Sequence, residues 1–472
     1  MLEIYDLRSA LSALEHAGHN LVRVDEALDP HLDLLDHYLA SYRTPFNSWM
    51  SAEQPLRLYE RPKTGVFPVL LGLFGSRART AFYLDPAARD GERLSNAGLI
   101  HRAIAAPRAP VCRAQASARA VVEHPDLHAL LPALTCAPGD PGPTVTLGLV
   151  YARDEQTGAA NCSVHRITLK PGSVAIAIFP GGHLQRLIDI HVARGQRLPV
   201  SINIGLDPAI YLAAALSKPA LAFGDDELGV YGALRGRGVE LAPCLTNSGR
   251  FIDHAEIVIE ATLGAEKEFE SPAGPDGEAL SMPEYLGYFS PCGEVSTLHV
   301  SALTHRPGAL YQALSGPGRE QSELLGAGQE ASIFRLLQEQ GVGALVREIV
   351  AQPAGGGHLL TVIQVLKRCE ADDERVRAIA EVLLEHIAAT KNLVLVDADV
   401  NPYSIEDVMW AMSTRFRADR DIHSTRALRG TPLDPSQSSL YCSAEPEGFT
   451  RKSVLDCTVP FSLRARFRRA FC

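Results

Sequence analysis

The sequence predicts an α/β protein of two domains, and three observations carry that reading. From about residue 320 the apolar pattern alternates between helical and strand periods, the rhythm of βαβα units. Earlier in the chain, TVTLGLVYA, SVHRITLK and SVAIAIF are short β-prone runs separated by turn residues, the pattern of sheet strands in close succession. The length of 472 residues exceeds what one ordinary core accommodates.

The elements follow in chain order. Residues 4–18 place apolar side chains at helical spacing, and VFPVLLGLFGSRARTAFYL (66–84) reads as a buried strand, a turn and a helix. Residues 95–143 alternate short helical pieces with Pro and Gly and end in the turn-rich APGDPGP. After the three β-prone runs, HLQRLIDIHVARG (183–195) is a helix stopped by Gly, and LPVSINIG (198–205) is a strand buried on both faces. DPAIYLAAALS restarts a helix, with Asp207 as N-cap and Pro208 in the first turn. HAEIVIEATL (254–263) is a strand, and ESPAGPDGEALSMPEYLGYF after it is a loop. Strands return in 295–313.

Beyond GPG (316–318), SELLGAGQEASIFRLLQEQ, DDERVRAIAEVLLEHIAAT and IEDVMWAMSTRF are helical, while LLTVIQVLK and NLVLVDADV are strands. The predicted organisation is a catalytic domain over 1–315, a smaller α/β domain over 316–438 and a C-terminal segment over 439–472. In that segment Leu463, Phe467 and Phe471 recur every four residues between arginines. This pattern predicts a helix docked on its own or a partner subunit in preference to one lying on a membrane.

Composition bounds the function. With 46% apolar and 21% charged residues the chain is that of a folded globular protein. A net charge of −10 argues against nucleic-acid binding as its main activity. The nine cysteines are scattered without a CxxC pair, which excludes zinc-finger spacing and fits a reducing compartment. MLEIYDLRSALSALEHAGH lacks the basic start and apolar block of a signal peptide, and Asp207 and Pro208 break the best apolar run. A cytoplasmic protein is expected.

Five separated residues carry the chemistry: Asn161, Arg166, His183, Glu227 and Glu270. An amide, an imidazole and a carboxylate can hold a hard divalent cation, whereas an Arg beside carboxylates can hold and protonate an acid substrate. By spacing alone His183 reads as a surface or capping residue and Glu227 as a first-turn acid favoured by the helix dipole. Cys162 reads as a small buried filler.

The ordered series PVLLGLFGSRARTA, SINIGLDPAIYLAAAL, DDELGVYGALRGRGVEL, AEIVIEATL, THRPGALYQAL and LVLVDADVNPYSIEDVMWAMSTRFRADRDI resembles the UbiD family of reversible decarboxylases. The resemblance spans about 55–460. It implies a split-barrel-like flavin-binding N-terminal domain, a C-terminal α/β oligomerisation domain and a homodimer or higher homo-oligomer. It implies prenylated FMN, supplied by a flavin prenyltransferase, and decarboxylation of an α,β-unsaturated or aromatic acid. Arginine far outnumbers lysine, as in high-GC genomes, which associates the chain with specialised metabolism.

Residue by residue, the resemblance makes Asn161, His183 and Glu227 the ligands of Mn2+ or Mg2+, with K+ a further candidate ion. Ser163, Val164, His165, Arg166, Ser217, Pro219 and Lys367 would join His183 and Glu227 in contacting the cofactor. Arg166 and Glu270 would form part of a Glu-Arg-Glu catalytic network. Where the family writes EGPFGE, this chain has ESPAGP, so Pro275 stands in place of the second acid. EYLGY fits the family's E-x-x-G-Y ending, which nominates Glu284 as the second acid, with Glu278 as its rival. Two other readings use the same residues: a non-catalytic flavin-binding relative, suggested by the displaced acid, and a metal-dependent hydrolase.

Overall fold

A computed structural model describes residues 3–45, 50–88, 95–140, 142–271, 281–289, 292–437, 445–446 and 448–470. Two compact units emerge from it: residues 1–90, 102–215 and 221–321 form one, and 91–101, 216–220 and 322–472 the other.

The first unit is built on strands β1 (Thr144–Arg153), β2 (Ala160–Lys170), β3 (Ser173–Ile176), β4 (Leu198–Ile204), β5 (Ile257–Phe269) and β6 (Glu294–His305). Their order is β5-β4-β1-β2-β3-β6, every pairing is antiparallel, and β5 also pairs with β6. The strands therefore close into a ring, which removes exposed sheet edges. Closure is possible because the β-branched and aliphatic positions of these strands share one core. Val150, Ile167, Ile202, Ile259 and Leu303 all belong to it and are fully buried.

Helices α1 (His183–Ala193), α2 (Pro208–Ala214) and α3 (Glu227–Arg235) connect and flank the ring strands. Two of their starts are set by short side chains: Asp207 accepts from Ala209 N and Asp226 from Leu228 N. The C-cap residue of α3 is Gly236, at φ +69°, a left-handed position that favours glycine.

The second unit holds a five-stranded mixed sheet: β7 (Val346–Ala351), β8 (Leu360–Val365), β9 (Asn392–Asp397), β11 (Phe449–Asp456) and β10 (Ile422–Arg429), in that order. The expected alternation holds, with α4 (Ala371–His386) and α5 (Ile405–Arg415) after β8 and β9. One expectation is corrected. Residues 449–456, assigned to a separate C-terminal segment, form a strand inside this sheet, parallel to β9 and antiparallel to β10. Their alternating burial is a half-buried strand signal that the Pro- and Gly-containing approach to them obscured.

The tail also differs from the predicted α-helix. Phe461–Phe467 is a 3-10 helix, with Leu463 and Phe467 exposed, and Phe471 lies outside the described residues. Arg469 stacks 3.8 Å from the Trp410 ring and pairs with Asp407 at 2.8 Å. No helix among the described residues is long and apolar enough to cross a membrane.

Candidate active site

Strand β2 supplies five of the candidate residues, and strand geometry decides what each can reach. Successive side chains alternate between faces, so Asn161, Ser163 and His165 share one side. The hydrogen bonds agree: Asn161 Nδ2 donates to Ser163 Oγ at 2.8 Å, and Ser163 Oγ lies 2.7 Å from His165 Nε2. His165 Nδ1 lies 2.9 Å from the Ala177 carbonyl. Burial pushes the His165 pKa below its ordinary value, against the opposing pull of that carbonyl. Both ring nitrogens of His165 are thus engaged inside the protein.

The opposite set, Cys162, Val164 and Arg166, turns its backbone away from β1. Cys162 N–H donates to Glu227 Oε2 at 3.1 Å, and Arg166 C=O accepts from Ala177 N at 3.2 Å. The alternation of an antiparallel ladder turns the Val164 amide to the same side as that of Cys162. Cys162 itself is buried at 1% exposure, as a small filler would be.

Glu227 opens α3 and His183 opens α1, so two helix starts converge on the beginning of β2. His183 Nδ1 and Glu227 Oε1 are 4.0 Å apart. A single ion with two bonds of about 2.1 Å spans such a separation. Glu227 is only 2% exposed, and burial pushes its carboxyl pKa up despite the His183 and Cys162 contacts that pull it down. A buried carboxylate held this way has an unmet need for positive charge. Phe223 packs edge-on against the His183 ring and carries the Arg186 guanidinium on its face, which fixes the imidazole. Among the described residues no three His, Cys, Asp or Glu side chains group as a metal site. Asn161, at the start of β2, could offer its amide oxygen as a third donor. That set of two oxygens and one imidazole, without thiolate, fits Mn2+ or Mg2+.

The far end of the same segment gathers an arginine and two acidic side chains. Arg166 Nε and Nη2 donate to the two oxygens of Glu270 at 2.6 and 2.8 Å, and Nη1 donates to Glu284 Oε1 at 2.7 Å. Glu270 follows directly on β5, where its own N–H bonds Gly293 C=O at 3.2 Å. Burial works against the Arg166 charge, but the two carboxylates overcome it and hold the pKa above its ordinary value.

Glu284 sits in a tight turn in which Gly287 N donates to Glu284 C=O at 2.7 Å and Glu284 N to Tyr288 C=O at 2.9 Å. Gly287 adopts φ +85°, so the E-x-x-G-Y spacing is the signature of a turn that requires glycine. Glu278 and Pro275 lie outside the described residues.

Three neighbours of this cluster escaped the sequence reading. Thr168 Oγ1 reaches Glu270 Oε1 at 3.4 Å, and Cys292 Sγ lies 4.0 Å from Glu270 Oε2. Asp140, in the APGDPGP turn, has its pKa raised to about 6, first by burial and further by Glu270. Only the spacing of Thr168, two residues after Arg166, offered a signal.

The remaining expected residues belong to the second unit. Lys367 is buried there, its ammonium shared among Asp373 (2.7 Å), Thr458 Oγ1 (2.9 Å) and the Val459 carbonyl. Those bonds engage all three of its protons inside the protein. Ser217 is exposed, and Pro219 precedes Ala220, whose carbonyl accepts from Arg335 at 2.7 Å.

Comparison with known proteins gives this geometry a family. Three models match in sequence: the 3-octaprenyl-4-hydroxybenzoate carboxy-lyase N-terminal domain over 11–97, its Rift-related domain over 110–319 and its C-terminal domain over 322–457. The chain belongs to the UbiD family. It is a carboxy-lyase of that class, which sets aside the hydrolase reading.

Gallate decarboxylase of Lactiplantibacillus plantarum is 32% identical over 99% of this chain and 96% of its own. The apo structure of 3,4-dihydroxybenzoic acid decarboxylase from Enterobacter cloacae is 34% identical, with a TM-score of 0.89 over 99% of this chain and 97% of that one. The UbiD-class enzyme HmfF from Pelotomaculum thermopropionicum, solved with FMN, is 27% identical with a TM-score of 0.84 at the same coverage. An evolved dimeric form of HmfF, solved with prFMN, is 25% identical with a TM-score of 0.81.

Proposed function

We propose that this chain is a prenylated-FMN-dependent decarboxylase of an aromatic carboxylic acid, with hydroxylated benzoates as the first substrates to test. The observation that carries the reading is the Glu270–Arg166–Glu284 cluster. A permanently charged fork between two carboxylates can orient a substrate acid while one carboxyl group delivers a proton. The gallate and 3,4-dihydroxybenzoate decarboxylases among its relatives support the substrate class, and the HmfF structures support the cofactor.

Prenylated FMN, when bound, supplies the electron sink for loss of CO2. The protein's part is binding, orientation and proton delivery. Asn161, His183 and Glu227 would hold Mn2+ or Mg2+ at the cofactor phosphate, and the Ser163–Val164 backbone would line the flavin. Glu270, bonded twice to Arg166 and 2% exposed, holds the guanidinium fork in place. Glu284, bonded to Arg166 through one oxygen, is assigned the proton that replaces CO2 on the substrate carbon. A cytoplasmic homo-oligomer supplied by a flavin prenyltransferase completes the reading.

The non-catalytic alternative rested on Pro275 at the second acid position. Arg166 has a second carboxylate partner in Glu284, which removes that support.

Co-expression with a flavin prenyltransferase, native mass spectrometry and CO2 release from a panel containing gallate, 3,4-dihydroxybenzoate and α,β-unsaturated acids form the test. The expected result is a flavin heavier than FMN by one prenyl group and CO2 from at least one aromatic acid. Protein without the modified flavin, or loaded protein inert toward every acid, overturns the proposal.

A further inference from the structure

The hydrogen bonds along β2 have a direction, and that direction bears on the metal position. The Ala177 carbonyl can only accept, so the 2.9 Å contact places a proton on His165 Nδ1. In a neutral imidazole the other nitrogen is then an acceptor, so Ser163 must donate its single hydroxyl proton to His165 Nε2. With that proton committed, Ser163 Oγ can only accept from Asn161, which must present its NH2 group. The amide oxygen of Asn161 is thereby turned to the other side. Each link forces the next, and the chain begins at a backbone carbonyl that cannot change its role.

We infer that His165 is a positioning residue: through Ser163 it fixes the amide orientation of Asn161 so that Oδ1, not Nδ2, faces the cation position between His183 and Glu227. The inference rests on the metal reading proposed above and extends it beyond the ligands themselves. It matters because the candidate set has only one imidazole and one carboxylate. A flipped Asn161 would present hydrogen-bond donors to a cation, leaving two ligands where three are needed. Ser163 and His165 lie in i+2 steps from Asn161 on one face of a paired strand, so the relay needs no loop to hold it.

The test is Mn2+ binding by the full-length chain, read by EPR during titration with MnCl2 at a fixed FMN concentration. Ser163→Ala and His165→Leu are each expected to weaken Mn2+ binding about tenfold or more, the usual effect of removing a group that orients a ligand. The double variant is expected to be no weaker than either single one, because both break the same relay. Ser163→Thr, which keeps the hydroxyl, is expected to stay within about twofold of wild type, far inside the tenfold loss that marks a broken relay.

Imidazole 15N shifts of wild-type His165 are expected to report the Nδ1–H tautomer. Wild-type protein that takes up no Mn2+ overturns the metal site and this inference with it. Wild-type uptake that His165→Leu leaves unchanged overturns the inference alone, as do additive losses in the double variant. Should His165→Leu fail to fold, Ser163→Ala carries the same expectation, and an Nε2–H tautomer in wild type overturns the relay directly.

Discussion

The Arg166 cluster and the Glu227 cluster both bury carboxylates, and they treat that charge in opposite ways. Around Arg166 the protein supplies its own cation: one guanidinium answers Glu270 with two bonds and Glu284 with a third. Around Glu227 the contacts are a backbone N–H and an imidazole, and burial raises the carboxyl pKa. The first cluster contains its own cation and is suited, on the proposed reading, to holding and protonating a substrate. The second has no guanidinium or ammonium among these contacts, and on the proposed reading a bound cation would supply the charge. On that reading, a few residues of one strand separate chemistry from anchorage.

The contrast breaks most severely at Arg166. Arg166→Ala leaves Glu270 buried without its partner and is expected to abolish decarboxylation. It should also lower stability by about 3–5 kcal/mol, the range for removing one member of a buried pair, measured by urea unfolding. Glu284→Gln keeps a hydrogen-bonding side chain but no acid. CO2 release should fall about 10²–10⁴-fold, the usual contribution of a positioned acid, while flavin content measured by absorbance is retained. Full activity in that variant would remove Glu284 from the proton-delivery role.

A third buried carboxylate extends the comparison. Glu320 is fully buried and held by the N–H groups of Phe74 and Ser315, and burial raises its pKa from 4.5 to about 7. Between those two values the folded protein binds more protons than the unfolded chain. Its contribution to stability is therefore present below about pH 4.5 and is lost as pH rises through about 7. Glu320→Gln should shrink the stability difference between about pH 4.5 and pH 8 by roughly 3 kcal/mol, read from urea denaturation at each pH.

The smallest effect sharpens the Glu227 side. Mn2+ at one hundred times its dissociation constant should stabilise the wild type by about 2.7 kcal/mol, and Glu227→Ala should lose most of that gain in thermal unfolding. Equal stabilisation of both proteins would show that Mn2+ binds elsewhere.

The sequence made most of the fold legible where periodicity was strong, as in β4, α1, α4 and β9. It failed where propensity and packing disagree. β11 has only a half-buried alternation, and its place between β9 and β10 depends on partners far along the chain. The site was legible as residue types, since Asn161, His183, Glu227, Arg166, Glu270 and Glu284 stood out by chemistry and resemblance. The environment of Lys367 was not legible, because a basic residue just past a strand reads the same whether its ammonium faces a ligand or, as here, Asp373, Thr458 and Val459. Cys292 and Asp140 had no pattern to reveal them; only the closing of the chain brings them to Glu270.

That closing sets an order of events during folding. Arg166 meets Glu270 across 104 residues and Glu284 across 118, so neither bond can form by local collapse. The loop entropy of joining such distant segments must be met before any of these contacts rewards it. Strands β5 and β6, which seal the ring, also flank the two acids, so a nascent chain holds an unpartnered Arg166 until the last strands arrive. The proposed acid pair and the closure of the ring therefore depend on the same stretch of chain, and neither is complete without the other's residues in place.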